Sequence, residues 1–280
     1  MRNILAIAWR EVRTYFTSPL AYVVGGVFVG LSGYFFLASL ANFSFLCLQY
    51  GNSPYASELD VNDIVFRPLF GTMVIIFLLM IPLVSMRLLA EERRTGTSEL
   101  LFTCPVTTSQ VVLGKYLGAA SLLIVMLLVT VSYPVFILVK SVKPDMPSTL
   151  IGYLGVLLMG LSFLAVGLLI SSMTENQIVA AVGAFGVLLI LYAIGWVAEP
   201  ASITLGNLMN SLTLGLWEKV HLGLGGPTVG EMLKALSISE HFQDFRKGLL
   251  DTEHLTFYLS VIFFSLFLTQ RVVESRKWRG

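Results

Sequence analysis

Few residues in this 280-residue chain have the types and spacing that chemistry requires. His241 and Asp244 stand three positions apart, so a helix would place them on one face, and His254 follows. Imidazole and carboxylate are groups that zinc accepts. A metal site, however, needs three or four ligands converging in one geometry, and none is expected from these three. Gly114-Lys115 has the look of the end of a phosphate loop. Tyr116 follows where a Ser or Thr should, and the glycine five positions before Gly114 is missing. No Gly-x-Ser-x-Gly, His-Glu-x-x-His or Cys-x-x-Cys is present. The chain is therefore expected to hold no cofactor and to catalyse nothing by itself.

The densest polar stretch runs from Arg87 to Lys115. Glu92, Arg93 and Arg94 lead to Gly96, which breaks whatever precedes it. Thr97 or Ser98 can cap a new helix, with Glu99 near the positive end of its dipole. Leu100, Leu101 and Phe102 give that helix an apolar face, and Pro105 ends it after about two turns. Thr107-Thr-Ser-Gln110 then fits a capping box for a following helix. A two-turn helix is too short to be stable alone, so something must pack against it.

Composition says what positions this segment. Hydrophobic residues make up 56% of the chain and charged residues 12%, about half the charged share of an average soluble domain. The net charge of +1 creates no general field for anionic partners, and no nucleic-acid partner is expected. Six stretches lack Asp, Glu, Lys and Arg: Leu20–Ala41, Pro68–Met86, Tyr116–Val139, Leu150–Met173, Gln177–Ala198 and Leu255–Gln270. Most are near the ~20 residues needed to cross a bilayer as a helix; Leu255–Gln270 is the shortest. They do not alternate in polarity as barrel strands do. The expected fold is all-α integral membrane, with six transmembrane helices in one domain over residues 1–280.

With both termini inside, Arg2, Arg10, Arg13, Arg87, Arg93, Arg94, Lys115, Arg271, Arg276, Lys277 and Arg279 are cytoplasmic. That is 11 of the 18 basic residues, and the bias favours this orientation. Cys47 and Cys104 then lie on opposite sides and form no disulfide. Residues 1–19 carry apolar side chains at helical spacing and are expected to form an amphipathic interfacial helix. The longest outer loop, 199–253, contains Ser237-Ile-Ser-Glu240, which fits the start of a short helix. No span contains an ionisable side chain, which disfavours an ion-coupled carrier. Gly26, Gly30 and Gly33 on the first span have the spacing of close helix or subunit packing, as do Gly114 and Gly118.

Glu92-Arg-Arg-Thr-Gly-Thr-Ser-Glu-Leu-Leu101, then Pro105-Val106 and Gly114-Lys115, resembles the signature of ABC transporter type-2 permeases. Tyr15-Phe-Thr-Ser-Pro-Leu-Ala-Tyr22 and Ser239-Glu-His-Phe-Gln-Asp-Phe-Arg-Lys-Gly248 resemble the gliding-motility-type (GldF-like) subgroup. The resemblance implies that segment 87–115 holds a coupling helix docking on a separate ATPase subunit. Glu92, Arg93, Arg94, Gly96, Thr97, Glu99, Leu100, Leu101, Pro105 and Lys115 are its implied ATPase-coupling residues. It further implies two ATPase subunits that bind the ATP and Mg, a second permease that is identical or related, and a multi-pass location in a bacterial inner membrane. The implied activity is export driven by ATP hydrolysis. The alternatives are transmission of force to a periplasmic partner without transport, and a non-transporting scaffold.

Overall fold

A computed structural model of the chain describes residues 2–50, 60–94, 107–139, 144–212 and 234–277. Among them every regular element is helical. These are α1 (Arg2–Thr17), α2 (Pro19–Tyr50), a π-helical turn (Asn62–Phe66) running into α3 (Arg67–Arg94), α4 (Thr108–Thr130) and α5 (Ser132–Val139). α6 (Met146–Met173), α7 (Gln177–Leu212), α8 (Ile238–Arg246) and α9 (Thr252–Lys277) follow. Six helical stretches are long and apolar enough to cross a membrane, α4 and α5 together forming one of them. The expected all-helical membrane architecture is thus the observed one. Six crossings place α1 and the α3–α4 connection at one end of the bundle. That end is the inner one on the charge bias, and α8 is at the outer end.

α3 and α6 form the centre. They run in the same direction and in register, because small residues on α6 seat large ones on α3. A Cβ at Gly152 would run into the Phe70 ring, one at Gly160 would come within 3.2 Å of Phe77, and one at Gly167 would meet Ser85. Hydrocarbon gives helices no hydrophobic reason to associate, so close approach of this kind must supply the contact energy. Polar side chains fix both ends of the pair. At the outer end Asn62 Nδ2 donates to the Asp145 carbonyl at 3.0 Å. At the inner end Ser171 Oγ accepts from the Leu89 and Ala90 amides at 3.3 and 3.2 Å and donates to the Met86 carbonyl at 3.2 Å.

Several boundaries differ from the sequence expectation. α2 continues nine residues beyond Ala41, to Tyr50. α7 continues through Glu199 to Leu212, so the first part of the expected outer loop is helix. The third crossing is broken at Val131. The cause is Pro134, whose missing N–H deprives the Thr130 carbonyl of its helical partner. The Tyr153 hydroxyl from α6 donates to that carbonyl instead, at 2.7 Å. The expected capping box is present: Gln110 N donates to Thr107 Oγ1 and Thr107 N to Gln110 Oε1, both at 3.4 Å.

Candidate coupling site

The expected coupling helix lies outside the described residues, and with it Gly96, Thr97, Glu99, Leu100, Leu101 and Pro105. Glu92, Arg93 and Arg94 form the last turn of α3. What the structure describes is the pair of helix ends between which the segment is strung, and the element that holds them.

That element is α1. It runs beside α4 in register over three turns. Asn3 Nδ2 donates to Gln110 Oε1 at 3.4 Å. One turn on, a Cβ at Gly114 would come within 2.7 Å of Ile7. A further turn on, a Cβ at Gly118 would come within 2.5 Å of the Glu11 side chain and 3.2 Å of the Ala8 carbonyl. Gly114 and Gly118 are therefore a packing pair, but their partner is the amphipathic helix rather than another crossing. The opposite face of α1 leaves Leu5, Trp9 and Phe16 exposed at helical spacing. Such a stripe suits the headgroup boundary of a bilayer.

Lys115 Nζ donates to Glu11 Oε1 at 3.0 Å, with the side chains 2% and 11% exposed. Two charges this deep need each other, since desolvation would otherwise neutralise or expel them. Arg10 Nη2 approaches the same carboxylate oxygen at 3.4 Å from the surface. Tyr15, one turn beyond Glu11, directs its hydroxyl toward the Val84 carbonyl of α3 at 3.5 Å. Burial, and after it the Glu11 carboxylate, push its hydroxyl pKa well above the usual tyrosine range. It stays a neutral donor. α1 thus joins the start of α4 to the inner half of α3, the two helices that flank segment 95–106.

Of the site residues read from sequence, Lys115 is brought into this clasp. Glu11 was not singled out, although a signal exists. It is the one acid in α1, and it falls on the stripe Ile4, Ala8, Glu11, Tyr15 that otherwise faces the bundle. Lys115 likewise sits among the buried positions Val111, Val112, Ala119 and Leu122 of α4. Opposite charges at buried positions of two helices imply a pair. Gly26 and Gly30 lie on the open face of α2, with nothing within 4 Å of a Cβ built at either. A Cβ at Gly33 would lie 3.4 Å from the Tyr133 hydroxyl.

At the outer end, α8 is wedged into the bundle through Ile238, Phe242 and Phe245, the last seated on Gly155 of α6. Ser237 caps it, accepting from the Glu240 amide at 3.3 Å. It ends on Gly248, at φ +79°, with Leu249 N bonded to the Asp244 carbonyl at 2.9 Å. His241 and His254 meet there. Their Nδ1 atoms are 2.7 Å apart, His241 Nε2 reaches the Ala235 carbonyl at 3.2 Å, and His254 Nε2 reaches Asp244 Oδ2 at 2.9 Å. With acceptors at both ends of this line, rings that carry one N–H each make two of the three bonds at a time. The Lys247 ammonium, 2.9 Å from the carboxylate, and the His254 bond hold Asp244 below the usual carboxylate range against its desolvation. The three side chains form a line of hydrogen bonds. Among the described residues no three His, Cys, Asp or Glu converge on a metal position.

The family model described as ABC-2 family transporter protein matches residues 5–269. The chain belongs to the ABC-2 transporter family. No curated protein matches it. Members of this family are membrane components of ABC transporters and not ATPases themselves, so the chain is a multi-pass permease subunit with an ABC ATPase as its partner. The inner clasp joins the two helices that flank segment 95–106.

Proposed function

We propose that this ABC-2 permease is the GldF-like membrane subunit of a bacterial inner-membrane exporter, and that segment 95–106 receives the movement of the ATPases. Two ATPases bind ATP and Mg and work on two permeases, identical or related. Glu92, Arg93, Arg94, Gly96, Thr97, Glu99, Leu100, Leu101 and Pro105 form or flank the docking surface, and Lys115 passes its displacement on. The observation that carries this reading is the buried Glu11–Lys115 pair. It sits two turns into the helix that leaves the segment, and it binds that helix to α1. A push on the segment then moves α4 and α1 as one body, which is what a two-state lever needs. The export direction and the subgroup rest on the motif resemblance.

A second reading has one observation in its favour. The centre of the bundle is filled, with α3 side chains seated on α6 glycines, and α8 is wedged into its outer end. Such a body can pass force to a periplasmic partner without carrying cargo. Affinity purification of the full complex in mild detergent, followed by intact-complex mass and ATP turnover, tests the shared part of both readings. A stoichiometric ATPase that is lost in Leu100→Asp/Leu101→Asp supports ATPase docking through the segment. A complex whose ATPase content and turnover survive that change refutes it. Reconstitution into vesicles then separates substrate movement from a conformational change in an outer partner alone.

A further inference from the structure

The outer end also carries a cation that the coupling reading does not use. Arg246, in the last turn of α8, reaches across to α3, where its guanidinium carbon lies 3.6 Å from a Cβ position at Gly71. Gly71 is one turn, about 6 Å of rise, beyond Arg67, which marks the outer start of the charge-free stretch of α3. The guanidinium therefore sits below the outer boundary. A long cationic side chain free to choose would turn outward to water.

Nothing among the described residues accounts for this position. Its Nε is buried and has no hydrogen-bond acceptor among the described residues. Leaving such a donor unmet is costly, and more so when it is charged. Among the described residues, the groups that act on it electrostatically are the Tyr192 hydroxyl of α7 and, after it, Arg67, another cation. The described carboxylates Asp63 and Asp244 are committed elsewhere. Asp63 holds Arg67 Nε at 3.0 Å, and Asp244 holds Lys247 and His254, each at 2.9 Å. Burial, and then Arg67, lower the pKa of Arg246, against the pull of Tyr192. Arginine nevertheless stays charged in proteins. The result is a half-buried guanidinium on which a second cation from α3 and a hydroxyl from α7 act.

We propose that Arg246, Arg67 and the Tyr192 hydroxyl form a binding site for a phosphate group at the outer boundary of the bundle. Donors arriving from α3, α7 and α8 suit the tetrahedral oxygens of phosphate, and a guanidinium binds two of them at once. The phosphate belongs either to the head of an anionic amphiphile lying in the outer leaflet or to a free ion. The site is defined by the outer helices alone, so it stands whether the complex exports cargo or transmits force.

The test uses the purified full chain in lipid-free detergent micelles. One arm titrates dioleoylphosphatidylglycerol, with dioleoylphosphatidylcholine as the uncharged comparison, and reads retained lipid by native mass spectrometry. The other titrates inorganic phosphate and reads the thermal unfolding midpoint. Wild type should bind saturably in at least one arm, the phosphatidylglycerol arm naming a headgroup and the phosphate arm a free ion. Arg246→Gln should weaken that binding at least tenfold and Arg67→Gln several-fold, while the exposed Arg13→Gln at the inner end leaves it unchanged. Arg67→Gln spares α8, so it still reads the site should Arg246→Gln fail to fold. The proposal is overturned if wild type binds saturably in neither arm, if phosphatidylcholine is retained as well as phosphatidylglycerol, or if both arginine variants bind as wild type does.

Discussion

The buried pair between α1 and α4 gives the sharpest prediction. Glu11 and Lys115 are 3.0 Å apart. At an effective dielectric of 20 their attraction is about 5–6 kcal/mol. Desolvation of both groups offsets most of that, so the pair as a whole contributes little net stability. Removing one partner is a different matter, because the other charge stays buried. Lys115→Met should cost about 3–5 kcal/mol, toward the lower end because Arg10 remains 3.4 Å from Glu11. Glu11→Gln should cost at least as much, since Lys115 is the more deeply buried of the two. Glu11→Leu/Lys115→Met should return most of the loss. The assay is reversible SDS unfolding of the full chain in mixed micelles, run as a double-mutant cycle. If each single change costs under about 1 kcal/mol, or the double costs the sum of the singles, the two side chains do not form the buried pair that the clasp requires. On the coupling reading the same double variant, though stable, should lower ATP turnover in the assembled complex.

Other perturbations separate packing from function. Gly118→Leu should force α1 off α4, since even a Cβ there lies 2.5 Å from Glu11. A loss of about 1–3 kcal/mol is expected, with faster proteolysis of the N-terminal helix. Gly30→Leu, which meets open space within this chain, should leave the stability of the isolated subunit unchanged. Gly248→Ala should lower the thermal midpoint, because φ is +79° and a Cβ would strike Ser148. The outer histidines give a pH dependence. Desolvation foremost, and then His254, hold His241 below the ordinary value, against the Ala235 carbonyl, Glu253 and Glu240. Its folded pKa is the lower one, so the unfolded chain binds more protons in the window between the two. Stability at the outer end should fall as pH drops below ~6.5, and His241→Gln should flatten that fall. Unfolding at pH 7.5, 6.5 and 5.5 checks the sign.

How much of this was legible in the sequence differed from one element to the next. Six crossings were readable because a span leaves an uninterrupted apolar run. Their ends were not, because a helix such as α2 continues past its apolar part without leaving any mark in charge. The capping box at Thr107 and the cap at Ser237 were readable, since both bonds are local and the residue types nearly specify them. The break at Val131 was half readable. Pro134 announces a freed carbonyl, but nothing local says that Tyr153, on another helix, will take it. The clasp was missed for a related reason. Gly114 and Gly118 announce a close approach but do not name the helix that approaches, and lipid-facing, subunit-facing and α1-facing glycines look alike in sequence. Glu11 and Lys115, opposite charges on two apolar stripes, carried the missing information.

The clasp also constrains how movement can travel. α4 is continuous from Thr108 to Thr130, about 34 Å at 1.5 Å per residue, so a displacement at its inner end arrives at Val131. There the break at Pro134 and the Tyr153 bond hand it to α5 and to α6, the helix on which α8 is seated. A rigid rod fixed to α1 at one end and hinged at the other moves as a lever only if both attachments hold. On the coupling reading, loss of the outer attachment should therefore mimic loss of the inner one without touching the ATPase surface. Tyr153→Phe removes a single 2.7 Å hydrogen bond and leaves the ring stacked edge-on against Phe70. It should cost about 1–3 kcal/mol, because a buried carbonyl loses its donor, and it should lower ATP turnover in the complex while ATPase binding stays intact. If turnover is untouched while stability falls by that amount, the Thr130 bond serves packing alone and the route to the outer end does not pass through α4.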